Sequence, residues 1–249
     1  MNPSETIPYW MSRTQLLMGD EPVQRLMNAN VLVVGLGGVG GICAEMIARA
    51  GVGKMTIVDG DTVDPSNGNR QIPALFSTHK QPKALVMQQR LLDINPDLDL
   101  TVMNDFIRDE KTNQLLDNGN FDYVVDCIDT LSPKVFLIAS CKQRGIPIVS
   151  SMGAGGKIDP TRIVVCDISE TYYCNLARYV RKRLYRLGIR EGIKVVFSDE
   201  EVDQSKIIVT EKAYPKKSII GTMSYLPAVF GCAAASVVIR DLMNGTSKS

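Results

Sequence analysis

Apolar and polar positions along this chain switch period repeatedly, between runs of strand length and segments of helical spacing. Val31–Gly35 is an almost unbroken apolar run, and from Gly38 to Ala50 the apolar residues recur at helical intervals. Lys54–Asp59 reads as a second strand, Pro82–Ile94 as a helix that Pro96 ends, Leu98–Asn104 as an alternating strand and Asp109–Asp117 as a short helix. Tyr123–Ile128 is an apolar strand running up to Asp129, Pro133–Arg144 is helical with proline at its start, and Ile146–Ser150 is a further strand. Strands of this kind alternating with helices predict an α/β protein, doubly wound, with a mostly parallel sheet and helices on both faces.

Beyond Gly153-Ala154-Gly155-Gly156 the pattern changes. Arg162–Cys166 and Lys194–Ser198 read as strands, Ile207–Thr210 as a further short one, and Ser169–Leu187 as a helix rich in arginine. No repeat or low-complexity tract separates the halves, so the second half is expected to complete the same domain. At 249 residues with 45% hydrophobic residues, the chain can bury one large core. The stretch from Ser218 to Ile239 carries no charge and approaches the length of a membrane span. Its Gly, Ala, Ser and Thr content and its central Pro227 predict instead a buried helix from Ala228 to Met243, and no membrane association is expected. The N-terminus has no basic start followed by an apolar run, which predicts a cytoplasmic protein. Six cysteines form no C-x-x-C pair, against both a zinc clip and a secreted disulfide framework. Cys43, Cys127 and Cys141 read as small core residues. A net charge of +1 sets up no global field toward nucleic acid or membrane.

The chemistry concentrates at Gly35-Leu36-Gly37-Gly38-Val39-Gly40, between the first strand and the first of these helices. A strand, a tight glycine turn and a helix N-terminus present backbone N–H groups and a favourable dipole to a phosphate, the Rossmann-like arrangement. Glycine at Gly35, Gly37, Gly38 and Gly40 lets the phosphates approach the backbone. Asp59 lies nineteen residues beyond Gly40 at a strand tip, where an acid reaches a ribose hydroxyl. That much would suit NAD equally well. The residues beyond Asp59 separate the two: Asp61, then Asn67, Asn69, Arg70 and Gln71, then Lys83 at a helix start, then Asp126 and Asp129 at the end of a strand. A dehydrogenase has no obvious use for Arg70, Lys83 and a strand-end aspartate in one crevice. An adenylating enzyme has, because it must bring a substrate carboxylate against an α-phosphate and stabilise departing pyrophosphate. The loop lacks the P-loop lysine, so Arg70 and Lys83 supply the cations and Asp129 holds a magnesium ion. Asp126 reads equally well as a catalytic group or as a buried, hydrogen-bonded one.

Taken together, G-x-G-G-x-G, the Asp59 strand end, Asn67-x-Asn69-Arg70-Gln71, Lys83 and Asp126-x-x-Asp129 resemble the ThiF/MoeB/HesA family, the adenylating core of ubiquitin-activating enzymes, from about Arg13 to Asp241. The resemblance implies a single adenylating domain over 1–249, with 13–156 as nucleotide-binding core and 157–243 as the substrate and dimer part. It implies ATP and Mg2+ as cofactors, Asp59 on the ribose, Asn67, Arg70 and Lys83 on the phosphates, and Asp129 on magnesium. Arg13 matches an arginine lent to the neighbouring subunit's phosphates, which implies a homodimer. Sulfur-pathway activators of carrier proteins usually carry two C-x-x-C zinc pairs, and this chain has none. Gly153–Thr161, Asp167–Thr171, Arg181–Leu187 and Val195–Glu200 resemble the branch that dehydrates N6-threonylcarbamoyladenosine next to the anticodon of tRNA, by adenylating its carboxylate and closing a ring. Two departures stand out: Cys174-Asn175-Leu176-Ala177 where relatives often read Asp-Pro-Leu-Ala, and no cysteine around Lys217–Gly221.

The alternatives are an adenylyltransferase for a ubiquitin-like sulfur-carrier protein, a nucleotide-binding scaffold for a sulfur-transfer partner, and an NAD oxidoreductase. Arg178, Arg181, Lys182, Arg183, Arg186 and Arg190 come with no acid among them; they form either a solvated helix face or, with tRNA as the implied substrate, a contact to its backbone. Arg70 could instead pair with Asp61 on the surface. His79, the single histidine, reads as a loop residue.

Overall fold

The computed structural model describes residues 7–203, 205, 207–209 and 218–245. Two helices that the periodicity does not predict, α1 (Ser12–Met18) and α2 (Asp20–Asn28), precede the sheet. The strands are β1 (Asn30–Val34), β2 (Lys54–Val58), β3 (Asp99–Met103), β4 (Tyr123–Asp126), β5 (Ile148–Ser151), β6 (Ile163–Asp167) and β7 (Lys194–Ser198). They form one seven-stranded sheet in the order β3-β2-β1-β4-β5-β7-β6. All pairs are parallel except β6 with β7, which are antiparallel with Ile163 opposite Ser198.

Chain order explains where a ligand can sit. The chain builds β1, β2 and β3 outward in one direction, then returns to place β4 on the other side of β1. Val34 therefore ends level with both Val58 and Asp126. A crevice opens beyond the carboxyl ends at such a reversal, because the two crossover connections leave in opposite directions.

Alternate residues of β1 feed the two cores. Val31 and Val33 join the cluster that holds Cys43 and Ile47 of α3 (Gly40–Arg49) and Met87 and Leu91 of α4 (Lys83–Ile94). Leu32 and Val34 join the other, with Leu116 of α5 (Glu110–Asn118), Leu137 of α6 (Leu131–Gln143) and Leu184 of α7 (Asn175–Arg186). A strand buried on both faces has to be apolar at every position, which is why β1 reads as a run rather than an alternation.

The uncharged stretch near the C-terminus forms α8 (Tyr225–Met243), long and apolar enough by composition to cross a membrane. Leu226, Phe230, Val237 and Val238 of α8 are buried in the same cluster as β1 and α3. Each such side chain contributes about 1.5–3 kcal/mol by leaving water. The helix starts three residues earlier than expected, with Pro227 inside its first turn, where no intrahelical N–H is needed. Pro133 sits the same way in the first turn of α6.

The arginine-rich helix starts at Asn175 rather than Ser169. The Asp167 carboxylate caps a separate short turn over Ile168–Glu170, and Tyr173 adopts a left-handed φ of 46°, which breaks the helical path. β8 (Ile207–Val209) pairs antiparallel with β9 (Ser218–Ile220). The expected end of the former at Thr210, and Lys217 of the segment without a cysteine, lie outside the described residues.

Candidate nucleotide-binding and adenylation site

The glycine loop leaves β1 at the sheet reversal. Gly35 donates its N–H to the Val58 carbonyl at 2.8 Å and takes a left-handed φ of 90°. A side chain there would be strained and would meet the Cys127 carbonyl oxygen at 2.8 Å. At Gly40 an added Cβ would fall 1.7 Å from the Gly35 carbonyl oxygen, so the loop folds back on itself where α3 begins. Gly38 rests on the first turn of α8, where its Cβ position lies 3.0 Å from Pro227 Cβ. The N-terminus of α3 thus opens onto the crevice with its backbone N–H groups and positive dipole end.

Asp59 stands at the tip of β2 and is mostly buried. Its Oδ2 accepts the Leu36 N–H at 2.6 Å and its Oδ1 accepts the Asp61 N–H at 2.8 Å. Burial raises its pKa above the usual aspartate value and outweighs those two bonds, which act in the other direction. Each oxygen keeps a lone pair that can take a ribose hydroxyl.

The next wall is a turn locked by its own backbone. Asp64 accepts from Ser66 N–H at 2.8 Å, Asn67 Oδ1 accepts from Asp64 N–H at 3.2 Å, and the Arg70 and Gln71 N–H groups both donate to the Asn67 carbonyl at 3.0 Å. The side-chain oxygen of Asn67 is therefore occupied in capping. The Arg70 guanidinium donates to the Ser66 carbonyl at 3.0 Å and to Asn69 Oδ1 at 2.8 Å. It does not pair with Asp61. That carboxylate faces Lys83 instead, with Nζ 3.2 Å from Oδ2, and Lys83 is buried at the first position of α4. The Gln71 amide lies against Gly37, and its buried Oε1 has no hydrogen-bond partner among the described residues. Asn69 Nδ2 reaches across to the Thr222 carbonyl at 3.0 Å.

The third wall continues from β4. Asp126 is fully buried and paired with Lys134 of α6, Nζ to Oδ2 2.5 Å. Ser150 Oγ donates to the same oxygen at 2.6 Å, and the Ile128 N–H donates to Oδ1 at 3.0 Å. Lys134 also donates to Ser150 Oγ at 3.1 Å and to the Ser151 carbonyl at 2.9 Å. Of its two possible roles, Asp126 therefore fills that of the buried, hydrogen-bonded group. Asp129, three residues on, is exposed on the turn into α6. The structure thus brings the Asp59 carboxylate, the Arg70 carbonyl and the Gln71 amide against the glycine loop, with Lys83 held on Asp61, two residues beyond Asp59, while the side chains of Asn67 and Arg70 bond within their own turn and Asp129 stands on the turn that continues from the Cys127 wall. Arg13 lies exposed on α1 and takes no part in these contacts.

Several residues that sequence reasoning passes over matter here. Lys134 is a lone cation directly before the apolar run Val135–Ala139; a lysine leading into an apolar helix just after a strand-end acid is the available signal. Lys157 is buried and donates to the Ser198 and Glu200 carbonyls at 2.6 and 2.5 Å, clasping the Gly153–Asp159 loop onto the end of β7. Four of the six thiols are held away from the reactive thiolate: burial raises Cys141 and Cys232, a Cys127 hydrogen bond and burial raise Cys43, and burial pushes Cys166 up to about 11. His79 is a half-buried loop residue with its ring 5.5 Å from Phe76. No group of three or more His, Cys, Asp or Glu converges among the described residues. A metal here would need oxygens from its ligand, as magnesium on a nucleotide normally does.

This strand order with a glycine loop and a braced acid at the reversal defines a nucleotide-binding α/β protein of the doubly wound class. More narrowly, the chain belongs to the ThiF family, whose model matches residues 11–248. It is 41% identical over 239 residues to the tRNA threonylcarbamoyladenosine dehydratase of Bacillus subtilis, covering 93% of this chain and 94% of that one. A crystal structure of the Escherichia coli tRNA N6-threonylcarbamoyladenosine dehydratase in complex with ATP superposes with a TM-score of 0.85 at 36% identity, over 95% of this chain and 94% of the other. The sulfur carrier protein ThiS adenylyltransferase of Escherichia coli is 36% identical over 151 residues, 58% of this chain and 59% of its own length.

Proposed function

We propose that this protein uses ATP to activate the carboxylate of N6-threonylcarbamoyladenosine next to the anticodon of a tRNA, and then closes that group into a ring. The observation that carries the reading is the crevice itself. The glycine loop carries a braced acid on one side and the backbone of Arg70 on another, with Lys83 held on Asp61 near that acid, and in this reading ATP and the carboxylate meet there. The near full-length likeness to proteins named for this reaction supports the substrate.

In this reading Asp59 holds the ribose. The α3 N-terminus and the loop N–H groups, with Asn67, Arg70 and Lys83, face the phosphates. Asp61 holds the Lys83 ammonium in position. A carboxylate oxygen of the substrate attacks the α-phosphorus and pyrophosphate leaves. The substrate's own carbamoyl group then attacks the activated carbonyl carbon, and AMP departs with the former carboxylate oxygen. The attacking group releases one proton. Because closure is intramolecular, no thioester cysteine is required. Asp129 suits magnesium as one carboxylate completed by phosphate oxygens and water. When bound, the ion would offset pyrophosphate charge.

The test is nucleoside mass spectrometry on tRNA incubated with the protein, ATP and magnesium. A modified nucleoside lighter by one water supports the proposal, and an unchanged mass refutes it. The sulfur-carrier reading rests on the shared 151-residue segment. It requires ATP–pyrophosphate exchange that depends on a small protein ending in Gly-Gly and ignores tRNA.

We assign 13–156 to nucleotide binding and 157–243 to substrate and dimer contacts. Arg13 is proposed to serve the partner protomer of a homodimer, since α1 also exposes Leu16 and Leu17 at 82% and 80%. Mixing Arg13→Ala with Asp129→Ala protomers should restore activity that neither variant has alone. The reading places the protein in the cytoplasm with its ATP and tRNA, needs no membrane, and leaves room for a sulfur-transfer protein as a partner. Cell fractionation and co-purification check these points.

A further inference from the structure

Building on the tRNA reading, we propose that the exposed face of α7, together with Arg190 just beyond it, is the surface on which the tRNA backbone lies. Ala177, Val180 and Leu184 bury one side of α7, which turns Arg178, Lys182 and Arg186 outward. None of these three, nor Arg181, Arg183 or Arg190, has a carboxylate within ion-pair distance among the described residues. Elsewhere in the chain arginines do find acids, as Arg144 does with Asp117 at 2.7 Å and Arg162 with Asp199 at 2.7 Å. Of the acids near this segment, Glu170 accepts the Asp167 N–H at 2.9 Å, Asp167 accepts the Gly192 and Ile193 N–H groups at 2.6 and 2.9 Å, and Glu191, exposed beside Arg190, makes no ion pair with it among the described residues. On a chain of net charge +1, six cations without acidic partners on one segment make a local field that the bulk composition conceals.

Four of the cations, Arg178, Arg181, Arg183 and Arg190, are also held in place by neighbouring groups. The Arg178 guanidinium lies 5.0 Å from the Tyr179 ring centroid, and Arg190 lies 4.9 Å from that of Tyr185. A guanidinium over an aromatic face is fixed in orientation while keeping N–H edges for phosphate oxygens. Arg181 donates to the Thr171 carbonyl and hydroxyl, which anchors the helix to the preceding loop. Between them Ser169, Arg178, Lys182, Tyr185, Arg186 and Arg190 border an open pocket of about 510 Å³, large enough for a phosphate with its sugar.

Position links this surface to the crevice. Arg183 donates to Ser132 Oγ at 2.8 Å, and Ser132 lies three residues beyond Asp129 in the first turn of α6. The start of α7 lies at the loop after β5, with Cys174 Sγ 3.6 Å from the Cβ position of Gly153. An RNA backbone on α7 therefore runs past the turn that carries Asp129, where one of its nucleotides has to enter.

The test strips charge from solvent-facing positions only. For the full-length protein, the affinity for unmodified tRNA is measured against salt in wild type and in the triple variant Lys182→Ala/Arg186→Ala/Arg190→Ala. ATP affinity without RNA serves as the check on fold and crevice. Each lost phosphate contact removes roughly 0.7–0.9 from the slope of log affinity against log salt, so the triple variant should lose about 2 to 3. Its tRNA affinity should fall at least about tenfold at near-physiological salt. The charge-keeping variant Arg186→Lys/Arg190→Lys should keep the wild-type slope. If wild type binds tRNA and the triple variant matches its slope and affinity, the α7 assignment is wrong while the dehydratase reading stands. If wild type shows no salt-dependent tRNA binding, both fall.

Discussion

Replacing Lys134 by methionine tests how the wall of the crevice is built. Met has a similar length and is apolar, so it fills the space and removes only the charge and its donors. What remains is Asp126, 0% exposed, with its negative charge uncompensated, and the Ser151 carbonyl without the ammonium that it faces at 2.9 Å. Breaking a buried ion pair from one side costs about 3–5 kcal/mol, because the desolvated partner is left behind. For a protein of this size that corresponds to a fall in melting temperature of roughly 6–20 °C. Neutralising Asp126 as well, in Asp126→Asn/Lys134→Met, removes the stranded charge. The double variant should regain about 1–3 kcal/mol over the single one, as coupled neighbours do. Urea unfolding of wild type, both single variants and the double variant measures the coupling. Asp126 also receives the Ile128 N–H at 3.0 Å, on the turn leading to Asp129, so ATP–pyrophosphate exchange should weaken in Lys134→Met even where it is fully folded. A cost below about 1 kcal/mol, or strictly additive single variants, would refute the reasoning, since the pair would then carry no mutual dependence.

The same geometry sets other outcomes. Gly40→Ala should cost about 1–3 kcal/mol and abolish ATP binding in calorimetry, because its Cβ meets the Gly35 carbonyl oxygen at 1.7 Å; retained ATP affinity would show that the loop is not the phosphate cradle. Asp129→Ala, at an exposed position, should leave the protein folded, at a cost of about 1 kcal/mol or less, yet slow adenylation at least about a hundredfold; full activity would remove Asp129 from the mechanism. Two aspartates should respond to pH with opposite sign. Burial pushes Asp167 up, but its bonds to Ser169, Gly192 and Ile193 win and hold it below the usual value. Its stabilising contribution is therefore present above the unfolded-state value and lost as pH falls through the folded one. Asp59 is raised, so its contribution is present at low pH and lost as pH rises through its folded value, while the ribose-binding carboxylate forms only above that value. ATP affinity should accordingly decline on acidification at a higher pH than an ordinary aspartate would give. Equal unfolding free-energy differences between wild type and Asp167→Asn at neutral and acid pH would contradict the Asp167 assignment.

Short-range pattern carries most of the architecture. β1, β2 and β7 lie within a residue of where periodicity puts them, because a strand buried on both faces must be apolar throughout, and the half-exposed edge strand β3 lies as close because it alternates. For α7 the pattern runs six residues too far toward the N-terminus. The true start is decided by the Asp167 cap and the left-handed Tyr173, and neither alters the hydrophobic period. The site is legible where chemistry is local: the glycine loop, Asp59 at a strand tip, and the Asn67–Gln71 turn. Pairings between distant segments are not. Asp61 finds Lys83, 22 residues on, rather than Arg70, because the partner of a charge depends on which helices the sheet brings together.

By itself the sequence determined an alternating α/β chain with a phosphate-sized glycine turn and the side chains for adenylation. Periodicity and turn chemistry act over a few residues and need no knowledge of what lies across the molecule. The tertiary structure alone decided that the chain reverses at β1 to open the crevice, and that Pro227 of the last long helix supports Gly38 of the first loop. It also decided that Arg183 ties a basic helix to the turn after Asp129. Those contacts join residues 51 to 189 positions apart, and only closure of the sheet and its two cores brings such segments within a few ångströms.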